Sequence, residues 1–199
     1  MEQPSSSFEL MERIKQGDRE ALSLLLDTHR RRLAILAHYR LGPQLRSLVE
    51  IDDILQETLL KSYLQFDQFT YRTPGSFMRW ITRIMDHVIA DAARHHGRKK
   101  RQATQLLPFR SDSNPGGPEP SDSRTPSRLL AQDEGLHTLM RELDELPDDY
   151  REVILLARIE SLSTREVAER MGKSREAVAL LLHRAVKRFK QLHNPGEDL

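Results

Sequence analysis

Cysteine is absent from this chain, which removes disulfide frameworks and thiolate metal sites from consideration. Aromatic residues are scarce at 6%. No stretch alternates Val, Ile or Thr with polar residues, so a β architecture has little support. No apolar run approaches the roughly 20 residues of a membrane span. The N-terminus, MEQPSSSFEL, lacks the charged-then-apolar pattern of a secretory signal. A soluble, cytoplasmic protein is the expectation. Sites for catalysis are missing too. The eight histidines form no His-x-x-x-His pair with an acidic helper, and there is neither a glycine-rich phosphate loop nor a Ser/His/Asp order. An enzyme is therefore not expected, nor is a metal or other cofactor.

What is present is charge, at 31% of residues against 38% hydrophobic. That leaves modest material for a core, and two small helical modules fit it better than one thick domain. The net charge is only +1, but its distribution is uneven. Arg94 to Arg101 (RHHGRKKR) hold five Lys or Arg and no acid, and Arg184 to Lys190 (RAVKRFK) hold four. The stretch 133–152 is acidic instead. Local cationic patches bind phosphates even when the total charge is near zero.

Between residues 102 and 127 the composition changes. PFRSDSNPGGPEPSDSRTP carries five prolines and the pair Gly116-Gly117, and such a segment buries too little apolar surface to offset its ordering entropy. It reads as a flexible linker between a module at 1–101 and a second at 128–199. About 25 such residues have an end-to-end distance on the order of 30 Å. Fully stretched they reach roughly 85 Å. Two modules so joined can engage DNA sites two turns apart, at about 34 Å per turn.

The fold class expected is all-α. In the first module, helices are predicted over Phe8–Gln16, from Asp18 to about Tyr39, from Ile51 to about Phe66, and from Ser76 to about His96. In the second, one runs from Leu129 to Leu146, and another from Pro147 to Ile159. Then Ser163 and Glu166 form the capping-box pattern S-x-x-E before a short helix ending at Met171. Gly172 turns the chain and Ser174 caps a longer helix with an apolar stripe at Val178, Leu181, Leu182, Ala185 and Phe189. A short helix, a glycine-containing turn and a longer cationic helix define a helix-turn-helix, whose second helix enters the major groove. Lys173 and Ser174 open that helix, and Arg175, Glu176, Ala179, Leu180, His183 and Lys187 point outward. Arg175 is suited to a guanine edge and Glu176 to cytosine, whereas Arg184, Lys187 and Arg188 are suited to phosphates.

These residues resemble a known family. The C-terminal module, through LPDDYREVILLARIESLSTREVAERMGKSREAVALLLHRAVKRF, is similar to that of bacterial sigma factors. The N-terminal module is similar through DDILQET at Asp52–Thr58 and SFMRWITRI at Ser76–Ile84. Two modules with only a linker between them match the extracytoplasmic-function (ECF) group. The resemblance implies a factor that binds RNA polymerase core and directs it to promoter DNA, with an anti-sigma factor as a possible partner. It places Asp53, Gln56 and Glu57 on the core-binding face. It puts a flipped promoter base at the loop Phe69–Gly75, where Tyr71 and Arg72 are the candidates, since aromatic faces and cations stabilise unstacked bases. On the following helix it places Arg83, His87, Asp91 and Arg94 towards the upstream element. Arg98, Lys99, Lys100 and Arg101 follow as a phosphate anchor. Trp80 shares the apolar stripe of that helix and is assigned to the core. The chain departs from the family at His87, often Asn, and at Ala179, Leu180 and Leu181, which replace more polar residues. A helix-turn-helix regulator acting without polymerase accounts for the second module equally, but leaves DDILQET and the aromatic loop unexplained.

Overall fold

The computed structural model describes residues 7–73, 75–106 and 133–193. Every regular element among them is helical. The first module comprises α1 (Ser7–Lys15), α2 (Arg19–Arg40), α3 (Pro43–Arg46), α4 (Ile51–Leu64) and α5 (Ser76–Leu106). The second comprises α6 (Glu134–Asp144), α7 (Asp148–Ile154), α8 (Thr164–Met171) and α9 (Arg175–His193).

Local chemistry explains where these helices begin and end. Gly17 takes φ +89°, a conformation open to glycine, and lets the chain reverse after α1. Asp18 then caps α2, its carboxylate accepting from the backbone N–H groups of Glu20 at 3.0 Å and Ala21 at 3.1 Å. Gly42 and Pro43 stop α2, yet the chain re-enters a single helical turn with Pro43 at its first position, where no N–H is needed. α5 runs to Leu106, past the predicted end near His96 and into the expected start of the linker. The residues from Arg98 to Leu106 are, apart from Thr104, Arg, Lys, Gln, Ala and Leu, all good helix formers. Residues 107–127 of the expected linker, and 129–132 of the helix predicted from Leu129, lie outside the described residues.

α2 is the centre of the molecule. α1 and α4 pack on it, and α4 packs on α5. Five consecutive residues of α2, Leu33 to Ala37, are buried, so this part of the helix is covered on every side rather than along one stripe. One side meets the first module's own helices, and another meets the second module at residues 155–159. The buried side chains of both modules consequently form one continuous cluster.

In the second module α9 packs across α6, α7 and α8. Pro147 stands as the N-cap of α7 rather than within its first turn. The helix expected to run unbroken to Ile159 widens at Leu155 into a π turn over Leu155–Ile159, closed by Glu160 N–H donating to the Leu155 carbonyl at 2.8 Å. Ser161 follows at φ +62°, in the left-handed region that costs a non-glycine residue about 1–2 kcal/mol.

Candidate nucleic-acid and polymerase interface

Three surfaces carry the residues singled out by sequence. The first is the outer face of α4. Ile51, Ile54, Leu55 and Thr58 are buried, which turns Asp53, Gln56 and Glu57 to solvent as expected. The same face continues through Leu60 and Leu64, respectively 57% and 70% exposed. Neither leucine was expected at this surface. Their spacing from Asp53, at i+7 and i+11, is the signal that could have found them.

The second surface joins the loop after α4 to α5. Phe66, Phe69, Phe77 and Trp80 form one aromatic cluster, with the Trp80 ring 5.1 Å from Phe69 and 5.7 Å from Phe77. Trp80 therefore packs in this cluster, as its place in the apolar stripe predicts. Tyr71 is half-buried with its ring edge-on to Phe8, and Arg72 is exposed. The loop is anchored by Ser76, whose hydroxyl accepts from the Arg72 N–H. On α5, Ile81, Thr82, Ile84, Met85 and Val88 face inward, leaving Arg83, His87, Asp91 and Arg94 along the solvent side. Arg98, Lys99, Lys100 and Arg101 continue on the backbone of α5, and their side chains lie outside the described residues.

An ion-pair chain connects these two surfaces. Lys61 reaches Glu57 on its own helix at 2.8 Å and Asp91 on α5 at 3.6 Å, and Asp91 also pairs with Arg94. The Asp91 carboxyl is held below its usual range, first by the hydrogen bond from Arg94 and further by Lys61. A residue of the expected core-binding face is thus linked through two intermediates to one of the expected DNA face.

The third surface is the helix-turn-helix. Ser163 and Glu166 make the predicted capping box: the Ser163 N–H donates to Glu166 Oε2 at 2.7 Å, and the Glu166 N–H donates to Ser163 Oγ at 3.3 Å. The Ser163 hydroxyl also donates to Glu166 Oε2 at 2.6 Å, and this bond first, then the one from the Ser163 N–H, holds the Glu166 carboxyl below its usual range. Gly172 ends α8 at φ +64°, and Ser174 caps α9 by accepting from the Ala177 N–H at 3.1 Å. Val178 and Ala185 are buried. Arg175, Glu176, Ala179, His183, Arg184 and Lys187 are all exposed, and Leu180 is 51% exposed. Lys173 is exposed at the turn and pairs with Asp149 at 3.2 Å. The Glu176 carboxyl is lowered by hydrogen bonds from its own N–H and then Ser174, so it presents an acceptor at the helix start.

No group of three or more His, Asp or Glu suited to a metal ion occurs among the described residues. No described helix is long and apolar enough to cross a membrane.

A helix-turn-helix following a helical module with an aromatic loop and a cationic helix defines a two-module transcription factor of the sigma type. Family comparison agrees for each module: residues 25–99 match the model described as Sigma-70 region 2, and residues 136–189 match Sigma-70, region 4. Among curated relatives, the ECF RNA polymerase sigma factor SigD of Mycobacterium tuberculosis (strain H37Rv) is 30% identical over 175 residues, covering 87% of this chain and 77% of that protein. The ECF RNA polymerase sigma-E factor of Escherichia coli K12 is 26% identical over 159 residues, covering 80% and 79%. A solved structure of the sigma factor RpoE with the anti-sigma factor NepR from Bartonella quintana aligns at TM-score 0.43 and 18% identity, covering 90% of this chain and 98% of that chain. The chain belongs to the ECF RNA polymerase sigma factor family.

Proposed function

We propose that this chain binds RNA polymerase core through α4 and directs it to promoters through α5, the loop 69–75 and α9. One observation carries the division of labour. The exposed stripe of Asp53, Gln56, Glu57, Leu60 and Leu64 lies beside the cationic face of α5, joined to it by Lys61 and Asp91. A mixed acidic and apolar stripe suits a protein partner, whereas Arg83, His87 and Arg94 suit a phosphate backbone and base edges. Tyr71 and Arg72 offer an aromatic face and a cation to a base leaving the stack, a contact worth about 1–3 kcal/mol.

On α9, Arg175 reads a base edge, and Arg184 and Lys187 contact phosphates. Leu180, exposed in the middle of this face, contacts a thymine methyl. This work is done by binding, and the family's factors are not enzymes. The alternative of a regulator that never meets polymerase gives α4 no role.

Run-off transcription with purified core polymerase on a set of promoter fragments tests the reading. Initiation dependent on this chain is the expected result, and failure to bind core or support initiation overturns it. Within that assay Arg175→Ala should shift base preference in the duplex segment that α9 contacts by about 1–3 kcal/mol. Lys187→Ala should instead weaken all promoters alike and lower the salt slope by about one.

A further inference from the structure

Helix α1 is nine residues long, too short to hold its shape alone, and it stands by packing on α2. Leu10 and Met11 are its buried anchors, and Ile14 packs partly against the same core. Phe8, in the first turn, is not part of that anchor and leaves 58% of its surface exposed. A ring so open to water contributes little to holding α1 down. It does have a neighbour. The Phe8 ring lies 6.4 Å from that of Tyr71, at an angle of 65°. Helix α1 thus brings a second aromatic ring to the loop proposed above to receive an unstacked base.

This pair differs from the aromatic cluster of the same module. Phe66, Phe69, Phe77 and Trp80 enclose one another, each ring having the other three within 6.3 Å. Phe8 and Tyr71 make one edge-on contact instead. Two rings set at such an angle form an open corner rather than a closed stack. A base laid on one of them brings its own edge to the other, an inclined arrangement that aromatic groups favour. Arg72 follows Tyr71 and is exposed, its backbone N–H donating to Ser76 Oγ at 3.4 Å. A cation is therefore at hand for the phosphate of the same nucleotide.

Phe8 precedes residues 25–99, the segment that matches Sigma-70 region 2, whereas Tyr71 lies within it. We propose that Phe8 is a second base-contacting residue, and that Phe8 and Tyr71 together seat one unpaired base of the opened promoter strand. The proposal rests on the role given above to the loop 69–75. It makes α1 part of the DNA-binding surface, with Leu10 and Met11 fixing where Phe8 stands. A brace for Tyr71 would need only apolar bulk at residue 8, whereas a stacking seat needs an aromatic face.

That difference can be read with the full chain assembled on core polymerase. The complex is mixed with a pool of fork-junction oligonucleotides whose unpaired strand is randomised, and the bound molecules are sequenced. Affinity for the pool and for its fully paired counterpart is followed by anisotropy. Phe8→Leu keeps apolar bulk, and Phe8→Trp keeps a ring. Phe8→Leu should lower enrichment of the preferred base about tenfold at one position of the unpaired strand, the position that Tyr71→Ala also disturbs. Other positions, affinity for the paired pool and the thermal midpoint should be unchanged. Phe8→Trp should retain the native enrichment. Native enrichment in Phe8→Leu overturns the proposal, and leaves the loop's role standing where Tyr71→Ala still loses it. A lowered midpoint with losses at every position makes Phe8 a brace of the module, and equally overturns it. If the native chain enriches no base, or Tyr71→Ala matches the native chain, the loop's role fails and the shared seat falls with it.

Discussion

His29 shows how a single side chain sets the conditions under which the first module is stable. It is 6% exposed within α2, its ring edge-on to Phe77 at 5.0 Å, and its Nδ1 lies 2.9 Å from the Leu25 carbonyl. The neutral ring donates there through Nδ1–H. Burial pushes its pKa below the ordinary histidine value, and the charge of nearby Arg32 lowers it further, against the opposing effect of the Leu25 bond. The unfolded chain binds a proton near pH 6.5, whereas the folded chain resists it to lower pH. Stability present above about pH 6.5 is therefore lost as pH falls from there towards the folded value. The depressed carboxyls of Asp18, Asp91, Glu166 and Glu176 act at lower pH, where their stabilisation disappears as pH falls through their folded values. Urea midpoints should thus decline between about pH 7 and pH 5 in the native chain. In His29→Leu, which keeps an apolar side chain at the site, that decline should be reduced. Equal slopes for the two chains would show that His29 is not the group responsible.

At the scale of the element, α4 presents two large apolar side chains to water without a structural reason within the chain. Helix α4 is already anchored by Ile51, Ile54 and Leu55 on its opposite face. Removing an exposed leucine should therefore leave folding stability within about 0.5 kcal/mol. A partner-binding surface behaves differently, since a few central side chains dominate the affinity of an interface. Leu64→Asp should weaken association with core polymerase by about tenfold or more while leaving the thermal midpoint in place. Asp53→Lys should weaken it by charge reversal on the same stripe. If Leu64→Asp lowers the midpoint and spares polymerase binding, α4 is a structural helix and the polymerase contact lies elsewhere.

Helices and their faces were legible in the sequence because each obeys a local rule. The 3.6-residue period separates Ile54 and Thr58 from Asp53 and Glu57, and the capping box at Ser163 and Glu166 needs only three residues of spacing. Features that depend on distant parts of the chain escaped, two of them at the seam between the modules. The π turn at Leu155–Ile159 replaces a helix that periodicity alone continues, because its last carbonyls are satisfied by Arg32, 127 residues away from Ile159 in the chain. Periodicity likewise marks Leu33 to Ala37 as helical, but not that a second module covers them. Such contacts depend on surfaces that meet only after each module has formed.

That coupling has a consequence for the whole molecule. The apolar cluster is continuous from α1 to α9, and the seam between modules adds Arg32, Arg40, Arg79 and the Tyr39 hydroxyl, which donates to Asp144 at 3.0 Å. Each module nevertheless has its own helices packed on one another, so coupling is a matter of how strongly the seam binds them. Much of the seam is charged and partly open to water, where ions screen it over about 8–10 Å at ordinary salt. Calorimetry at low salt should show one cooperative transition, because unfolding either module removes the other's seam contacts. Arg32→Glu places a carboxylate against the carbonyls of Arg158 and Ile159 in place of their donor, and should resolve two transitions. Raising the salt of the native chain should move it in the same direction. One unsplit transition in Arg32→Glu at every salt concentration would mean that the apolar cluster alone joins the modules, and that the arginines add orientation without cooperativity.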